Sequence, residues 1–197
     1  MHLLERVVLC NWGRLAPQDI AIREMTAILG PTGAGKSTIV DAIQLIVTGS
    51  NSRFYDLNKS TGGRNSRSIR DYCLGADDHV DPDAPKFPVA DSLIAMSFRD
   101  RISGKPISIG LIYSADRAEP HADLRARFVA RDHAVSIHDF IEISEPAKWV
   151  VPRAARMIER LKAICPSVRL HQSSTAYVED YLRRTCRADP HASRGFA

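Results

Sequence analysis

One stretch of this chain has the residue types and spacing of a phosphate-binding loop. Residues 30–37 are G-P-T-G-A-G-K-S, which fits the P-loop pattern G-x-x-x-x-G-K-[ST]. Glycines let the backbone turn tightly, so that several N–H groups can point at one phosphate. In that arrangement Lys36 would reach the β- and γ-phosphates, and the Ser37 hydroxyl would ligate Mg²⁺. The pattern therefore predicts a site for ATP with Mg²⁺.

The expected phosphate contacts are consecutive in sequence. Backbone N–H groups from Gly33 to Thr38 would donate to the phosphates, and the helix that starts at Ser37 would add its positive N-terminal end. Lys36 is also the predicted catalytic residue, and Ser37 is the predicted metal ligand. The predicted phosphate site comprises Gly30, Pro31, Thr32, Gly33, Ala34, Gly35, Lys36, Ser37 and Thr38. The alternative is a glycine-rich turn that binds nothing.

The flanking residues predict the strand–loop–helix context of a P-loop. Residues 25–29 (M-T-A-I-L) predict a short buried strand just before the loop, and residues 38–47 predict a helix just after it. A glycine C-cap at residues 48–50 would end this helix. This context favours a working P-loop over a chance match.

The bulk composition is that of an ordinary globular protein. The chain has 197 residues, of which 44% are hydrophobic and 25% charged, and a formal net charge of +4. That charge permits nucleic-acid binding without indicating it. No apolar stretch approaches the ~20 residues of a membrane span, and no signal peptide is evident. We predict a cytoplasmic location, which includes association with the nucleoid. The four cysteines are not spaced as metal ligands, so no zinc site is predicted.

The chain is predicted to form one domain, residues 1–197, around the loop. The predicted segments are a nucleotide-binding core (6–49), a polar Arg-rich insertion (50–91), a β-meander (92–132) and a helical region (152–197). Three β-like runs in the meander predict antiparallel strands with one buried face and one wet face. Short helices are predicted over 68–74, 152–164 and 173–182.

Two predicted strands, 6–11 and 18–23, precede the strand before the P-loop. Small nucleotide kinases usually begin with the P-loop strand itself. ABC-type ATPase heads begin with extra, mostly antiparallel strands that form a lobe beside the nucleotide base. The order of elements therefore favours an ABC-type head.

A second acidic residue, which a hydrolysing P-loop site needs for Mg²⁺ or the attacking water, is not evident. It should follow about four apolar residues at a strand end. Asp116, after the run 109–115, comes nearest, but the alternation of that run predicts a surface hairpin. An L-S-G-G-type signature loop is also lacking in the sequence. The motifs therefore predict that the chain holds half of an ATPase site.

Several of these segments together resemble the N-terminal head of SMC-like ATPases. They are V-L-C-N-W-G at 8–13, the P-loop followed by Thr38, and D-A-I at 41–43. The closer likeness is to MukB- and MksB-type bacterial condensins and to the JetC-like ATPases of Wadjet plasmid-defence systems. Residues 57–75 resemble the segment after the P-loop in the Wadjet-type group, and 172–177 (Q-S-S-T-A-Y) resembles the end of the head before a coiled coil.

This resemblance implies an α/β P-loop NTPase fold of the ABC/SMC type. The chain would be the N-terminal half-head: an antiparallel β lobe, a P-loop strand and helix, a β-meander, and helices that lead toward a coiled coil. The Walker B acid and the signature loop would come from a C-terminal half-head, in the same or a second chain. Two heads would sandwich ATP as a homodimer. The implied partners are DNA, a kleisin and winged-helix subunits.

Further candidate residues depend on the resemblance as much as on the motif. Trp12, with Asn11, could stack against adenine, or Trp12 could cover the core of the lobe. Arginines after the P-loop helix could form an arginine loop that touches phosphate or DNA, or could lie on a solvated basic loop. They are Arg53, Arg64, Arg67 and Arg70.

Two other functions are compatible with the sequence. A self-contained small-molecule kinase suits a chain of this length, but it needs an Arg-rich lid and a substrate-binding acid, and neither is clear. A non-hydrolysing interaction module is the other alternative, against which the intact Lys36 and Ser37 argue.

Overall fold

A computed structural model describes residues 1–57, 67–76, 86–145 and 148–186. In these ranges the chain forms eight strands and four α-helices. They are β1 (His2–Cys10), β2 (Gln18–Ala21), α1 (Lys36–Thr48), α2 (Ile69–Leu74), β3 (Val89–Asp100), β4 (Pro106–Asp116), β5 (Asp123–Arg131), β6 (Glu142–Glu145), β7 (Lys148–Val150), α3 (Ala154–Ile164), β8 (Arg169–His171) and α4 (Ser174–Thr185). A 3₁₀ turn, Ile137–Asp139, lies between β5 and β6.

A six-stranded sheet in the order β2-β1-β3-β4-β5-β8 organises this mixed α/β fold. Every neighbouring pair in it is antiparallel. The meander predicted after residue 91 is confirmed, because β3, β4 and β5 pair in sequence order. Val7 of β1 lies opposite Met96 of β3 on one side and Ile20 of β2 on the other. The strands before and after the P-loop therefore belong to one sheet.

Helices cover both faces of this sheet, so the prediction of a wet face on the meander is wrong. On one face α1, α2 and α4 pack on side chains that include Ile94 and Leu111. On the other face α3 and the segment around the 3₁₀ turn pack on side chains that include Leu93 and Phe128. β4 is accordingly buried at consecutive positions. A strand that is covered on both faces carries apolar residues continuously instead of alternately.

The strand predicted over residues 25–29 is also wrong for the described chain. These residues lie outside regular structure, with Met25 94% and Leu29 88% exposed. β2 ends at Ala21, the Ile22 N–H still donates to the Glu5 carbonyl of β1, and no strand in the described ranges pairs with residues 25–29. Because a strand needs a neighbour for its N–H and C=O groups, an apolar run alone does not form one.

The helix predicted after the P-loop is confirmed as α1. It ends at Gly49, whose φ of 61° lets its N–H reach the carbonyls of Ile46 and Leu45. The predicted short helix 68–74 is confirmed as α2, which begins at the N-cap Ser68 with a capping box and ends at a left-handed Gly75.

The two helices predicted near the C-terminus are confirmed as α3 and α4. Ser173 caps α4 by accepting a hydrogen bond from the Ala176 N–H. Parts of the predicted insertion, 58–66 and 77–85, lie outside the described residues, as does the stretch 187–197. Across the described ranges, no helix has both the length and the apolar character needed to cross a membrane.

Candidate nucleotide-binding site

The P-loop, residues 30–37, is largely exposed and runs directly into α1. Gly33 and Gly35 have φ angles of +83° and +88°, which residues with a side chain rarely adopt. A Cβ atom on Gly35 would also lie 2.6 Å from Cδ2 of Leu15. The loop backbone therefore requires glycine at both positions, at Gly33 for conformation and at Gly35 also for space.

The start of α1 has the features of an anion site. Its N-cap is Gly35, so no side chain caps the helix, and its first turn carries no acidic residue. The first N–H groups of a helix have no partner within the helix, and together with the helix dipole they favour a bound anion. Ser37 is exposed at the same end. These donors and this hydroxyl fit a phosphate with Mg²⁺.

Lys36 lies against the first residues of its own loop. Its Nζ donates to the carbonyl oxygens of Gly30 and Pro31, at 2.7 Å in each case. An ammonium group has three donors, so one donor is left for a phosphate oxygen while both carbonyl contacts persist. The two carbonyls thus hold the charge at the loop.

The adenine-stacking role predicted for Trp12 does not match its position. Its side chain is fully buried, and its ring stacks on Tyr72 with centroids 4.8 Å apart, while Tyr113 lies 6.3 Å away. Its indole N–H donates to the backbone oxygen of Thr38 at 3.0 Å. Trp12 therefore joins the end of β1 to the first turn of α1, which is the core-covering alternative.

Asn11 likewise serves the turn after β1. It has a φ of 48°, and its side-chain amide donates to the backbone oxygen of Asp91 at 2.9 Å. Its own carbonyl accepts from the Ser92 hydroxyl at 2.6 Å. These bonds join the end of β1 to the start of β3, so the side chain of Asn11, a candidate for the adenine side, has a structural partner.

Tyr72, which no motif singles out, connects α2 to the P-loop helix. Its hydroxyl donates to a carboxylate oxygen of Asp41, and each of these two residues is only 2% exposed. Burial, and then the Asp41 carboxylate, raise the pKa of Tyr72, so the hydroxyl stays protonated as a donor. The sequence signal for this contact was Asp41, because an acidic residue in an apolar helix needs a polar partner.

Of the predicted arginine loop, Arg67 lies beside Tyr72. Its guanidinium carbon is 5.9 Å from the centroid of the Tyr72 ring. Arg53 follows the C-terminal end of α1, and a helix of 13 residues is about 20 Å long. Arg53 is therefore at the far end of α1 from the P-loop, and the predicted phosphate role does not fit it. Arg64 lies outside the described residues.

Arg70 and Asp116 meet at the turn after β4. Arg70 donates to the backbone oxygens of Arg117 at 2.7 Å and Asp116 at 3.4 Å. The Asp116 carboxylate accepts from the Ala118 N–H at 2.8 Å. Both side chains thus stabilise the hairpin between β4 and β5, and Arg70 has a structural role in place of a phosphate contact. The hairpin predicted before Asp116 is confirmed, but its surface position is wrong, because β4 is buried at consecutive positions.

Comparison with known families supports the same site. The family model described as the P-loop containing region of AAA domains matches residues 4–63. No curated protein matches the chain. The matched stretch contains β1, β2, the P-loop and α1, the elements that form the open helix start and position Lys36.

The match and the geometry together indicate a mixed α/β fold with a P-loop region near the N-terminus. Residues 4–63 are similar to the P-loop region of AAA domains. That similarity indicates nucleotide binding through residues 30–37.

Proposed function

We propose that this chain is the N-terminal half-head of an SMC-like, DNA-organising ATPase. It would bind Mg·ATP through the P-loop and complete the hydrolytic site only with a second half-head. The observation that carries the proposal is the exposed segment 25–29, placed between an antiparallel lobe and a P-loop.

The exposed segment has the sequence of a strand and lacks a neighbouring strand in the described chain. The strand before a P-loop ordinarily belongs to a sheet whose parallel part is covered on both faces. Here Met25 and Leu29 are 94% and 88% exposed. A second half that brings parallel strands beside residues 25–29 would pair their backbone groups and bury these side chains.

The outer face of α1 supports the same proposal. Val40 and Val47, which are 49% and 37% exposed, lie two helical turns apart, and the half-buried Ile43 lies between them. The opposite face of α1 packs on the sheet through residues that include Leu45. A helix that is apolar on both faces is ordinarily buried on both. The second half-head would therefore cover α1 as well as residues 25–29.

The residues of this chain would bind and orient the triphosphate. The N–H groups at the start of α1 would donate to phosphate oxygens, and Lys36 would hold the γ-phosphate. The Ser37 hydroxyl would ligate Mg²⁺, and bound Mg²⁺ offsets charge on the phosphate oxygens. The acid that positions the attacking water would come from the second half.

A self-contained kinase has less support. Such an enzyme would hold its P-loop strand within its own parallel sheet, whereas the sheet formed by the described ranges is antiparallel throughout. A phosphate-acceptor screen that found transfer to a nucleoside or nucleotide would favour the kinase.

The larger assembly is part of the proposal. Two heads, a kleisin and winged-helix subunits would form a complex that moves coiled-coil arms around DNA. The proposal covers both chromosome organisation and plasmid defence, because the resemblance extends to both kinds of complex. Binding of DNA by the assembled complex, measured against salt concentration, tests this step.

The decisive experiment compares nucleotide binding with hydrolysis. The 197-residue chain should bind a fluorescent ATP analogue with Mg²⁺ and hydrolyse almost no ATP. Adding the C-terminal half should raise turnover, and the Lys36→Ala chain should gain nothing from that addition. Robust turnover by the chain alone would contradict the half-site proposal.

A further inference from the structure

The carboxyl end of α1 is tied to α4 by two tyrosine hydroxyls. Tyr177 donates to the backbone oxygen of Ile46 at 2.9 Å, and Tyr181 donates to that of Val47 at 2.6 Å. The last carbonyls of a helix have no partner within the helix and are usually satisfied by a cap or by water. Here two of them accept from side chains far along the chain, so the end of the P-loop helix is bonded to a specific distant element.

The packing around these hydroxyls is tight. Tyr177 is fully buried, and Tyr181 is 8% exposed. Gly49, just after α1, has a φ of +61°, and a Cβ there would lie 2.7 Å from Cδ1 of Tyr177. The two rings contact each other edge-on, with centroids 5.5 Å apart. The end of α1 and the first turns of α4 therefore have little room to move independently.

Arg127 of β5 adds a third tie at the same place. Its Nε donates to the backbone oxygen of Gly49 at 2.7 Å, and its Nη1 donates to that of Gln172 at 2.7 Å. One guanidinium thus joins the residue after α1 to the residues just before α4. Because the guanidinium is planar and rigid, it holds the two segments in a fixed relation.

The two ends of α1 therefore have different contacts. The amino end carries the P-loop, where Lys36 and the first N–H groups face the predicted phosphate site. The carboxyl end is bonded to α4 about 20 Å away, since α1 has 13 residues. A helix hydrogen-bonded along its length moves as one body, so a rotation or shift at the loop is carried to α4.

We propose that Tyr177 and Tyr181 are positioning residues that couple the nucleotide site to α4 through α1. The proposal rests on nucleotide binding at the P-loop. Binding of Mg·ATP should restrain α4. Because coupling between two sites is reciprocal, loss of the two tyrosine bonds should in turn weaken nucleotide binding.

The test measures hydrogen exchange in the full chain with and without saturating Mg·ATPγS. In the unmodified chain, the amides of α4 should exchange at least about twofold more slowly with nucleotide. In Tyr177→Phe/Tyr181→Phe this slowing should become clearly smaller, because only the contacts of Arg127 and of the rings remain, while the amides at the start of α1 stay protected. Nucleotide affinity in the double variant should fall about fivefold, the low end of measured couplings.

Tyr113→Phe is the matched control. Tyr113 belongs to the same buried cluster, and its hydroxyl makes no hydrogen bond to the described residues. This variant loses a buried hydroxyl without losing a bond to α1, so α4 should keep its response to nucleotide. Equal loss in Tyr113→Phe would show general softening of the core and would overturn the coupling.

A spin label on Cys186 gives a second measurement that needs no tyrosine variant. Cys186, just after α4, is exposed, whereas the other three cysteines are buried. Burial also raises the pKa of Cys10 and Cys73 to about 12, so labelling at neutral pH should select Cys186. The label should lose mobility when Mg·ATPγS is added, and Lys36→Ala should abolish the change.

The outcomes separate the two proposals. Nucleotide binding without any change in α4 or in the label would overturn the coupling and leave the proposed function intact. A change in α4 that is the same in the double variant would also overturn it. A chain that binds no nucleotide at all would contradict both proposals.

Discussion

Strand β4 and the segment 25–29 have similar sequence patterns and opposite surroundings. Both are short runs rich in apolar residues: I-S-I-G-L-I-Y at 107–113 and M-T-A-I-L at 25–29. β4 pairs with β3 on one side and β5 on the other and is buried at consecutive positions. The segment 25–29 has no strand beside it in the described chain. The two runs differ in burial because they have different neighbouring strands, and much less because of their composition.

Two glycines show how complete the packing is in each region. A Cβ on Gly110 of β4 would lie 2.5 Å from Cζ of Phe128 and 2.8 Å from the backbone oxygen of Ile94. A Cβ on Gly33 of the P-loop would meet nothing within 4 Å. β4 is therefore closely packed on both faces, whereas the P-loop region has exposed surface that a ligand or a second half-head could cover.

The largest effect should come from a matched pair of truncations in these two regions. Leu111→Ala removes a fully buried side chain and should lower the free energy of unfolding by about 2–5 kcal/mol. Leu29→Ala, at an 88% exposed residue, should change it by less than about 0.5 kcal/mol. Urea unfolding followed by circular dichroism measures both.

Adding the proposed C-terminal half-head should reveal a further difference between Leu29→Ala and Leu111→Ala. Leu29→Ala should then weaken association of the two halves, because the side chain would be buried between them. If both truncations lower the free energy of unfolding of the chain alone by the same amount, residues 25–29 are packed in solution and the contrast with β4 fails.

The next effect concerns the P-loop itself. Lys36→Ala removes a charge-assisted hydrogen bond to phosphate, worth about 1.5–3 kcal/mol. Binding of a fluorescent ATP analogue with Mg²⁺ should weaken about 10- to 150-fold, while the unfolding midpoint changes little. Unchanged affinity would favour the non-hydrolysing interaction module.

A smaller effect is expected at the bond that ties α2 to α1. Tyr72→Phe removes the hydroxyl that donates to one oxygen of the buried Asp41 carboxylate, while Gln44 still donates to the other, and the loss should cost about 1–3 kcal/mol. Thermal unfolding should show the loss, and Tyr113→Phe serves as the control because its hydroxyl makes no such bond within the described residues. Equal destabilisation of the two variants would count against the role of Tyr72.

The smallest effect should be a pH dependence at the turn between β3 and β4. Hydrogen bonds from the N–H groups of Ser103 and then Ile102 lower the pKa of Asp100 from 3.8 to about 2. A carboxylate with a lowered folded-state pKa stabilises the fold above its unfolded pKa, and the stabilisation is lost as pH falls. Stability should therefore drop between about pH 4 and pH 2.

Asp100→Asn should make this acid-induced drop shallower. Urea midpoints taken at intervals through that window measure the difference between the two chains. Parallel curves would show that Asp100 does not contribute to the acid dependence.

Most elements of the fold could be predicted from local patterns. The apolar runs that became β1, β3, β4 and β5, and the glycines that end α1 and α2, are local signals. So is the P-loop, since Gly33 and Gly35 are required by backbone angles within the loop itself. The short strands β6, β7 and β8 were missed because three or four residues carry too little pattern to distinguish them from loops.

What the local patterns could not supply was the identity of each neighbour. Whether Trp12 faces a base or the core depends on Tyr72 and Tyr113, which are far from it in sequence. Whether the meander has a wet face depends on α3, which comes after all three of its strands. Contacts of this kind join residues that no spacing rule relates.

The sequence by itself determined the phosphate-binding loop, the helix that follows it and the antiparallel character of the strands around it. Those features follow from glycine conformations, helix caps and apolar runs, which act over a few residues. Only the tertiary structure decided that Trp12 is core, that α4 holds the far end of α1, and that residues 25–29 lie exposed. These outcomes depend on which surfaces pack together. The apolar side chains of residues 25–29 pack against no strand of the described chain and therefore stay exposed to water.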